Sequence, residues 1–139
     1  MVMPDPSQIT GTPLVEPLES PHKGKSGLRR VWNAFFYSLD GLGAAFRHED
    51  AFRQEVFLAA LLIPTALFLP ASGAGKALMI GAVLLVLIVE LLNSAVEAAV
   101  DRISLENHLL AKRAKDIGSA AVFLSLLNVP AVWLLVLFG

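Results

Sequence analysis

Two glutamates and an asparagine lie within the apolar segment from Ala77 to Val100. Glu90, Asn93 and Glu97 are spaced i, i+3 and i+7, which places them on one face of a helix. Since a helix rises about 1.5 Å per residue, Glu90 and Glu97 are roughly 10 Å apart along its axis. A carboxylate in an apolar helix is costly unless it pairs, binds a cation or takes a proton. The stripe therefore predicts a site, with an interhelical polar contact that stabilises an oligomer as the structural alternative.

The residue types indicate magnesium binding and proton transfer. Mg²⁺ takes one or two carboxylates and shares its remaining positions with water and nucleotide phosphates. Glu97, near the charged end of the segment, and Glu49, before the first apolar span, supply two carboxylates. Glu90 lies deeper and is then free to act as a general base. Asn93 lies between the two glutamates, where its amide can orient a substrate hydroxyl or a phosphate oxygen.

Further charged side chains follow in the connection "DRISLENHLLAKRAKD". Lys115 can reach phosphates, and Asp116, near a helix N-terminus, can hold a ribose or a water. The alternative for Lys115 is that it anchors a membrane helix by extending to the headgroups. His108 can meet an adenine or a phosphate, although a single loop histidine is more often solvated. The glycine-containing stretches "GLG" and "SGAG" complete no phosphate loop, so a nucleotide site here is not of the P-loop kind.

Composition restricts the classes of protein to which this chain can belong. Of its 139 residues, 55% are hydrophobic, which indicates a membrane protein. The net charge of -1 and the lack of a zinc-finger or RNA-binding motif make nucleic acid an unfavourable partner. The chain has no cysteine, which excludes disulfides, a thiolate nucleophile and a cysteine-based metal site.

Three apolar stretches approach the length of about 20 residues that a membrane helix needs. We predict spans at about 51–71, 76–101 and 115–138. Pro64 and Pro130 fall inside the first and third spans, where they can kink the helices. All of these elements are helical, so the predicted fold class is an all-α integral membrane protein.

Two segments precede the spans. Residues 1–26 are rich in proline, serine and glycine and have no apolar core, so we predict a mobile tail without a cleavable signal. Residues 28–48 repeat apolar side chains at helical spacing, and Trp32 and Tyr37 suit headgroup depth. We predict an amphipathic helix in the membrane interface, with a soluble surface helix as the alternative. The membrane domain is then 27–139.

Basic residues predict the orientation in the membrane. They concentrate before the first span and in the second connection, whereas the first connection holds only Lys76 and the C-terminus holds none. By the positive-inside rule, the N-terminus and the second connection are cytoplasmic. The side chains that are suited to chemistry then face the cytosol.

The stretches "AFRQE", "VELLNSAVEAAVDRI" and "AKRAKDIGSAAV", in this order and flanking three spans, resemble the prokaryotic diacylglycerol kinase family. The resemblance runs from about Arg30 to the C-terminus. It implies a small kinase of the bacterial inner membrane that is a homotrimer with sites shared between chains. It also implies transfer of the γ-phosphoryl group of ATP to diacylglycerol, giving phosphatidate, with Mg²⁺ as the cofactor.

The resemblance also implies residue roles. Glu90 matches the catalytic base, Glu49 and Glu97 match the magnesium-binding carboxylates, and Asn93 matches the asparagine beside the transferred phosphate. The other matched positions are near nucleotide or substrate. The implied nucleotide-binding residues are Arg30, Glu49, Glu97, His108, Lys115 and Asp116, of which Glu49 and Glu97 are the metal-binding glutamates. The implied substrate-binding set is Ser38, Glu55, Glu90 and Ser119, and Glu106 matches a further position of this kind.

Two other functions stay open at this point. A related kinase that phosphorylates undecaprenol has a similar architecture and a similar glutamate helix. The "KDIGSAAV" stretch and the long loop with "ENH" look more like the diacylglycerol branch. Outside the enzymes, a small oligomeric ion pathway or assembly protein would use Glu90 and Glu97 to line a pore or to contact neighbouring chains. That function has no need of Lys115 and Asp116.

Overall fold

A computed structural model describes residues 27–103 and 108–139. Within these ranges every regular element is an α-helix, which confirms the predicted fold class. The four helices are α1 (Gly27–His48), α2 (Asp50–Phe68), α3 (Gly73–Ile103) and α4 (Leu109–Phe138). The predicted tail at 1–26 lies outside the described residues.

Three of the described helices are long and apolar enough to cross a membrane. They are α2 with 19 residues, α3 with 31 and α4 with 30. The three spans that hydropathy predicts therefore correspond to helices. Most of their large apolar side chains are exposed, as expected for surfaces in contact with lipid or with other chains.

The chain divides into two compact units, one that ends at Tyr37 and one from Ser38 to Gly139. In the first unit, the rings of Trp32 and Phe36 meet edge to face with centroids 5.2 Å apart. These aromatic side chains are exposed, and the placement of α1 in the membrane interface stays a prediction.

In the second unit, α3 is the central helix and packs against both α2 and α4. Small buried residues such as Ala59 and Ala66 on α2 and Ala82 on α3 let the backbones approach closely. At the far end of the bundle, Nε1 of Trp133 donates to the carbonyl of Met79 at 3.2 Å. These contacts fix the register of α3 against its neighbours.

The helices extend beyond the apolar stretches. α4 begins at Leu109, before the predicted span at 115–138, because "LLAKRAK" forms helix although its charges do not suit the bilayer interior. His108 is its N-cap, and Nδ1 accepts a hydrogen bond from the backbone N–H of Leu110 at 3.2 Å. Pro64 and Pro130 lie inside helices, as the sequence predicts.

Candidate functional site

The polar stripe of α3 faces the interior of the second unit. Glu90 is buried, with only 5% of its surface exposed. Asn93 and Glu97 are half-buried, and Nδ2 of Asn93 donates to Oε1 of Glu97 at 3.4 Å. The i, i+3, i+7 spacing therefore places the three side chains together, as the sequence predicts. Their common face is directed toward the neighbouring helices, where a buried carboxylate needs a partner.

Glu90 is the centre of a carboxylate cluster, with Glu49, Glu55 and Glu97 within electrostatic range of it. The charges of Glu97 and Glu49 both act on Glu90, and the charge of Glu90 acts on Glu55. Carboxylates that are close together in a partly buried region repel one another when they are charged, which favours a cation or protons among them. Among the described residues, no group of three or more His, Cys, Asp or Glu side chains is arranged to hold a metal ion.

Glu49 is the one residue between α1 and α2, and its backbone is extended, with φ -111° and ψ 110°. It occupies the N-cap position of α2, yet its side chain makes no capping hydrogen bond. It lines an open groove of about 620 Å³ between the end of α1 and α3, together with Ser38, His48 and Ser94. The Glu49 carboxylate is therefore available for a role other than capping.

Asn93 lies directly against Gly118 of α4. A Cβ at position 118 would overlap Oδ1 of Asn93. That oxygen is buried and has no hydrogen-bond partner among the described residues. An unsatisfied buried amide oxygen costs free energy, so it is a natural acceptor for a ligand donor or a water. Gly118 thus determines where the Asn93 amide lies.

If the Asn93 amide orients the substrate, as the sequence predicts, we expect Gly118→Ala to lower turnover by about 10-fold to 100-fold, because a displacement of about 1 Å at an orienting group has effects of this size. The added methyl group meets the end of a side chain, so the Asn93 amide moves and the helices keep their packing. Steady-state kinetics in mixed micelles and a thermal unfolding curve measure both effects. In an Asn93→Ala background, Gly118→Ala should cause no further loss.

The matched control is Gly73→Ala, since no atom lies within 4 Å of a Cβ at that position, at the start of α3. It should keep the parent turnover. Full turnover in Gly118→Ala would show that the position of the Asn93 amide does not matter to the reaction.

The lysine and aspartate that open the third predicted span have different surroundings. Nζ of Lys115 lies 2.5 Å from Oδ1 of Asp101 on α3, and the charge of Glu97 also acts on Lys115. Asp116 instead pairs with Lys112 within α4, at 2.8 Å, and its side chain is 64% exposed. The structure therefore brings Lys115 to the carboxylate cluster, while the Asp116 contact is on an exposed surface.

Glu55 lies beside an apolar cavity of about 160 Å³ between α2, α3 and α4. The walls are formed by aliphatic side chains, including Leu58, Val86 and Leu126. Oε2 of Glu55 is buried and has no hydrogen-bond partner among the residues that the structure describes. A carboxylate at the edge of an apolar cavity suits a molecule with a polar group and an apolar chain.

The other predicted site residues are less closely connected with the cluster. Arg30 is exposed in the first unit, and Ser119 is exposed on α4 beside Gly118. Ser38 lines the same groove as Glu49. His108 caps α4 through Nδ1, which leaves Nε2 to meet a ligand. The position of Glu106 lies outside the described residues.

The sequence did not identify Asp101, Gly118 or Arg53. Asp101 follows Glu97 by four residues, so the periodicity of α3 was a signal for it. Gly118 has no such signal, because its contact with Asn93 depends on how α3 packs against α4. Arg53 contributes to the predicted orientation only as a positive charge, whereas in the structure it bonds to the end of α1.

Residues 36–137 match the family model described as prokaryotic diacylglycerol kinase. The chain belongs to this family. The match contains α2, α3, most of α4 and all four carboxylates of the cluster. The family resemblance that the three sequence stretches predict is confirmed.

Relatives of the chain include proteins from three bacteria, each with the name diacylglycerol kinase. The protein of Pseudomonas aeruginosa is 57% identical over 120 residues, which cover 86% of this chain and 98% of that protein. The protein of Haemophilus influenzae is 53% identical over 81% of this chain and 96% of its own length. The protein of Escherichia coli is 44% identical over 82% of this chain and 93% of its own length. The likeness therefore extends over nearly the whole of each relative.

Proposed function

We propose that the chain is a membrane kinase that transfers the γ-phosphoryl group of ATP to the hydroxyl of diacylglycerol, giving phosphatidate and ADP. One observation carries the proposal: buried Glu90 lies among carboxylates, one of which, Glu97, acts on Lys115, within a helical bundle of the prokaryotic diacylglycerol kinase family. The names of the three relatives favour diacylglycerol over undecaprenol. The Lys115 contact favours an enzyme over an ion pathway, which does not require that side chain.

Glu49 and Glu97 would hold Mg²⁺. Both act electrostatically on Glu90, and two carboxylates are the usual protein contribution to a magnesium ion that also binds phosphates. When bound, the ion neutralises charge on the phosphate oxygens during transfer.

Glu90 acts as the general base. It accepts the proton of the lipid hydroxyl, whose oxygen forms a bond to the γ-phosphorus while the bond from that phosphorus to the leaving ADP oxygen breaks. The proton stays on Glu90 until it passes to water. Burial of Glu90 limits the access of bulk water to this carboxylate while the lipid is bound. The Asn93 amide, held against Gly118, orients the hydroxyl or a phosphate oxygen.

The nucleotide is bound mainly through positive charge. Lys115 exchanges its ion pair with Asp101 for phosphate oxygens, because a polyphosphate carries more negative charge than one carboxylate. Glu49 and Glu97 belong to the proposed nucleotide-binding set because they would hold Mg²⁺, which would neutralise charge on the phosphates. Asp116, Arg30 and His108 complete the proposed nucleotide-binding set.

The lipid is bound at the membrane side of the cluster. Glu55 accepts a hydrogen bond from the polar end of the lipid, and the adjacent apolar cavity receives part of an acyl chain. Ser38 and Ser119 are the remaining proposed contacts to substrate. This arrangement lets the hydroxyl reach Glu90 from the bilayer while the nucleotide arrives from water.

We also propose the orientation and the assembly. The basic residues before α2 and between α3 and α4 support a cytoplasmic N-terminus in a bacterial inner membrane. Large exposed apolar side chains on α2, α3 and α4 leave room for contacts with further chains. We propose a homotrimer in which neighbouring chains share each site.

The test is transfer of labelled γ-phosphate from MgATP by purified protein in mixed micelles, with diacylglycerol and undecaprenol offered in parallel. We expect label in phosphatidate. Label in the polyprenyl product would assign the chain to the other lipid. If neither lipid is labelled by folded protein, the carboxylates have a structural role and the proposal is wrong.

A further inference from the structure

Glu49 lacks the local contacts that usually fix the direction of such a side chain. A short polar side chain at an N-cap, that of Ser, Thr, Asp or Asn, ordinarily accepts a hydrogen bond from a backbone N–H in the first turn. Glu49 makes no such bond, so its direction depends on the backbone between α1 and α2. That backbone is held by two main-chain hydrogen bonds, from the N–H of Glu49 to Ala45 at 2.9 Å and from the N–H of Arg53 to Glu49 at 3.2 Å.

The guanidinium of Arg53 connects the two helices on either side of Glu49. Nη1 donates to the carbonyls of Phe46 at 3.2 Å and Arg47 at 3.0 Å, in the last turn of α1. Carbonyls in a last turn have no partner within the helix, so a side-chain donor satisfies them. Nη2 pairs with the carboxylate of Asp50, the first residue of α2. One side chain thus fixes the end of α1 against the start of α2.

We propose that Arg53 is a positioning residue that directs the Glu49 carboxylate toward Glu90 and Glu97. The inference rests on the proposed function and gives Arg53 a role in it that is separate from catalysis. A planar guanidinium can donate to two carbonyls and a carboxylate at once, whereas a lysine ammonium is a point charge on a flexible chain. Without the guanidinium, the carbonyls of Phe46 and Arg47 and the carboxylate of Asp50 lose their partner. The backbone at Glu49 then adopts several conformations.

The helices have a second connection that does not depend on Arg53. The rings of Phe46 on α1 and Phe57 on α2 meet edge to face, with centroids 6.0 Å apart. Phe52, one residue before Arg53, is buried. These apolar contacts keep the two helices together when the guanidinium is removed. Variants at Arg53 should therefore fold, and their defect should be confined to the direction of Glu49.

The experiment uses the full chain in detergent micelles with Arg53→Gln and Arg53→Lys. Binding of Mn²⁺ in the presence of a non-hydrolysable ATP analogue is measured by electron paramagnetic resonance. We expect Arg53→Gln to weaken Mn²⁺ binding about 10-fold. This is the lower end of the range of affinity losses for mutations of residues that act on a metal through one of its ligands. Arg53→Lys should recover part of this loss. In kinetic assays the KM for diacylglycerol should stay unchanged while the Mg²⁺ requirement rises.

The matched control is Arg47→Gln. Nε of Arg47 donates to the carbonyl of Gly43 at 3.0 Å within α1, and the side chain is exposed. The same change of charge at this position should leave Mn²⁺ binding as in the parent.

A double variant separates positioning from general damage. In a Glu49→Gln background, Arg53→Gln should cause no further loss of Mn²⁺ binding, because the carboxylate that it directs is already absent. Additive losses, or parent-like Mn²⁺ binding in Arg53→Gln, would overturn the inference. If the parent protein phosphorylates no lipid, the proposed function is wrong, and the Mn²⁺ measurements still decide the role of Arg53.

Discussion

Glu90→Gln should lower turnover by about 10²-fold to 10⁴-fold, the range that a general base contributes. Glutamine keeps the size of the side chain and its hydrogen-bonding capacity but cannot accept the proton of the lipid hydroxyl. Glu90 is buried among like charges, so its replacement by a neutral amide also removes repulsion from the cluster. The fold should therefore persist while the chemical step is lost.

The measurement is turnover at saturating MgATP and lipid, with nucleotide affinity measured separately by equilibrium binding. Affinity should be largely kept, because the proposed role of Glu90 is to act on the lipid hydroxyl and not on the nucleotide. Asp40→Asn is the control, since Asp40 is an exposed carboxylate on α1. Unchanged turnover in Glu90→Gln would remove this residue from the mechanism.

Glu97→Gln should raise the Mg²⁺ concentration for half-maximal activity by at least about 10-fold. A loss of metal affinity of about 10-fold is the lower end of the range for mutations of residues that contact a metal only through one of its ligands. Glu97 is proposed as a ligand itself, so its loss should be at least as large. A glutamine at this position keeps a carbonyl oxygen that accepts the hydrogen bond from Asn93, so the geometry of the stripe is preserved. The loss is then one of charge and of metal affinity.

Magnesium titrations of the parent and the variant at saturating ATP measure this effect. Excess Mg²⁺ should restore part of the activity in Glu97→Gln, whereas it should restore none in Glu90→Gln. This difference separates a metal ligand from a base. If the titration of Glu97→Gln overlays that of the parent, the metal assignment is wrong.

The sequence predicts much of this structure because it contains two strong signals. Long apolar runs identify α2, α3 and α4, and the 3.6-residue period places Glu90, Asn93 and Glu97 on one face. Both signals are properties of a single helix and need no knowledge of its neighbours.

Contacts between helices could not be predicted in the same way. The pairs Lys115 with Asp101 and Asn93 with Gly118 depend on the register of α3 against α4, which hydropathy does not encode. The start of α4 at Leu109 was also missed, since hydropathy reports the depth of residues in a bilayer and not the limits of a helix.

The prolines are distributed unequally among the three long helices. α2 contains Pro64 and α4 contains Pro130, whereas α3 has none. A proline removes one backbone hydrogen bond and lowers the resistance of a helix to bending, so α2 and α4 are compliant and α3 is stiff. Pro130 also lines the apolar cavity beside Glu55. A lipid that enters this cavity would bend α2 and α4. The distance between Glu90 and Glu97 along α3 would stay the same.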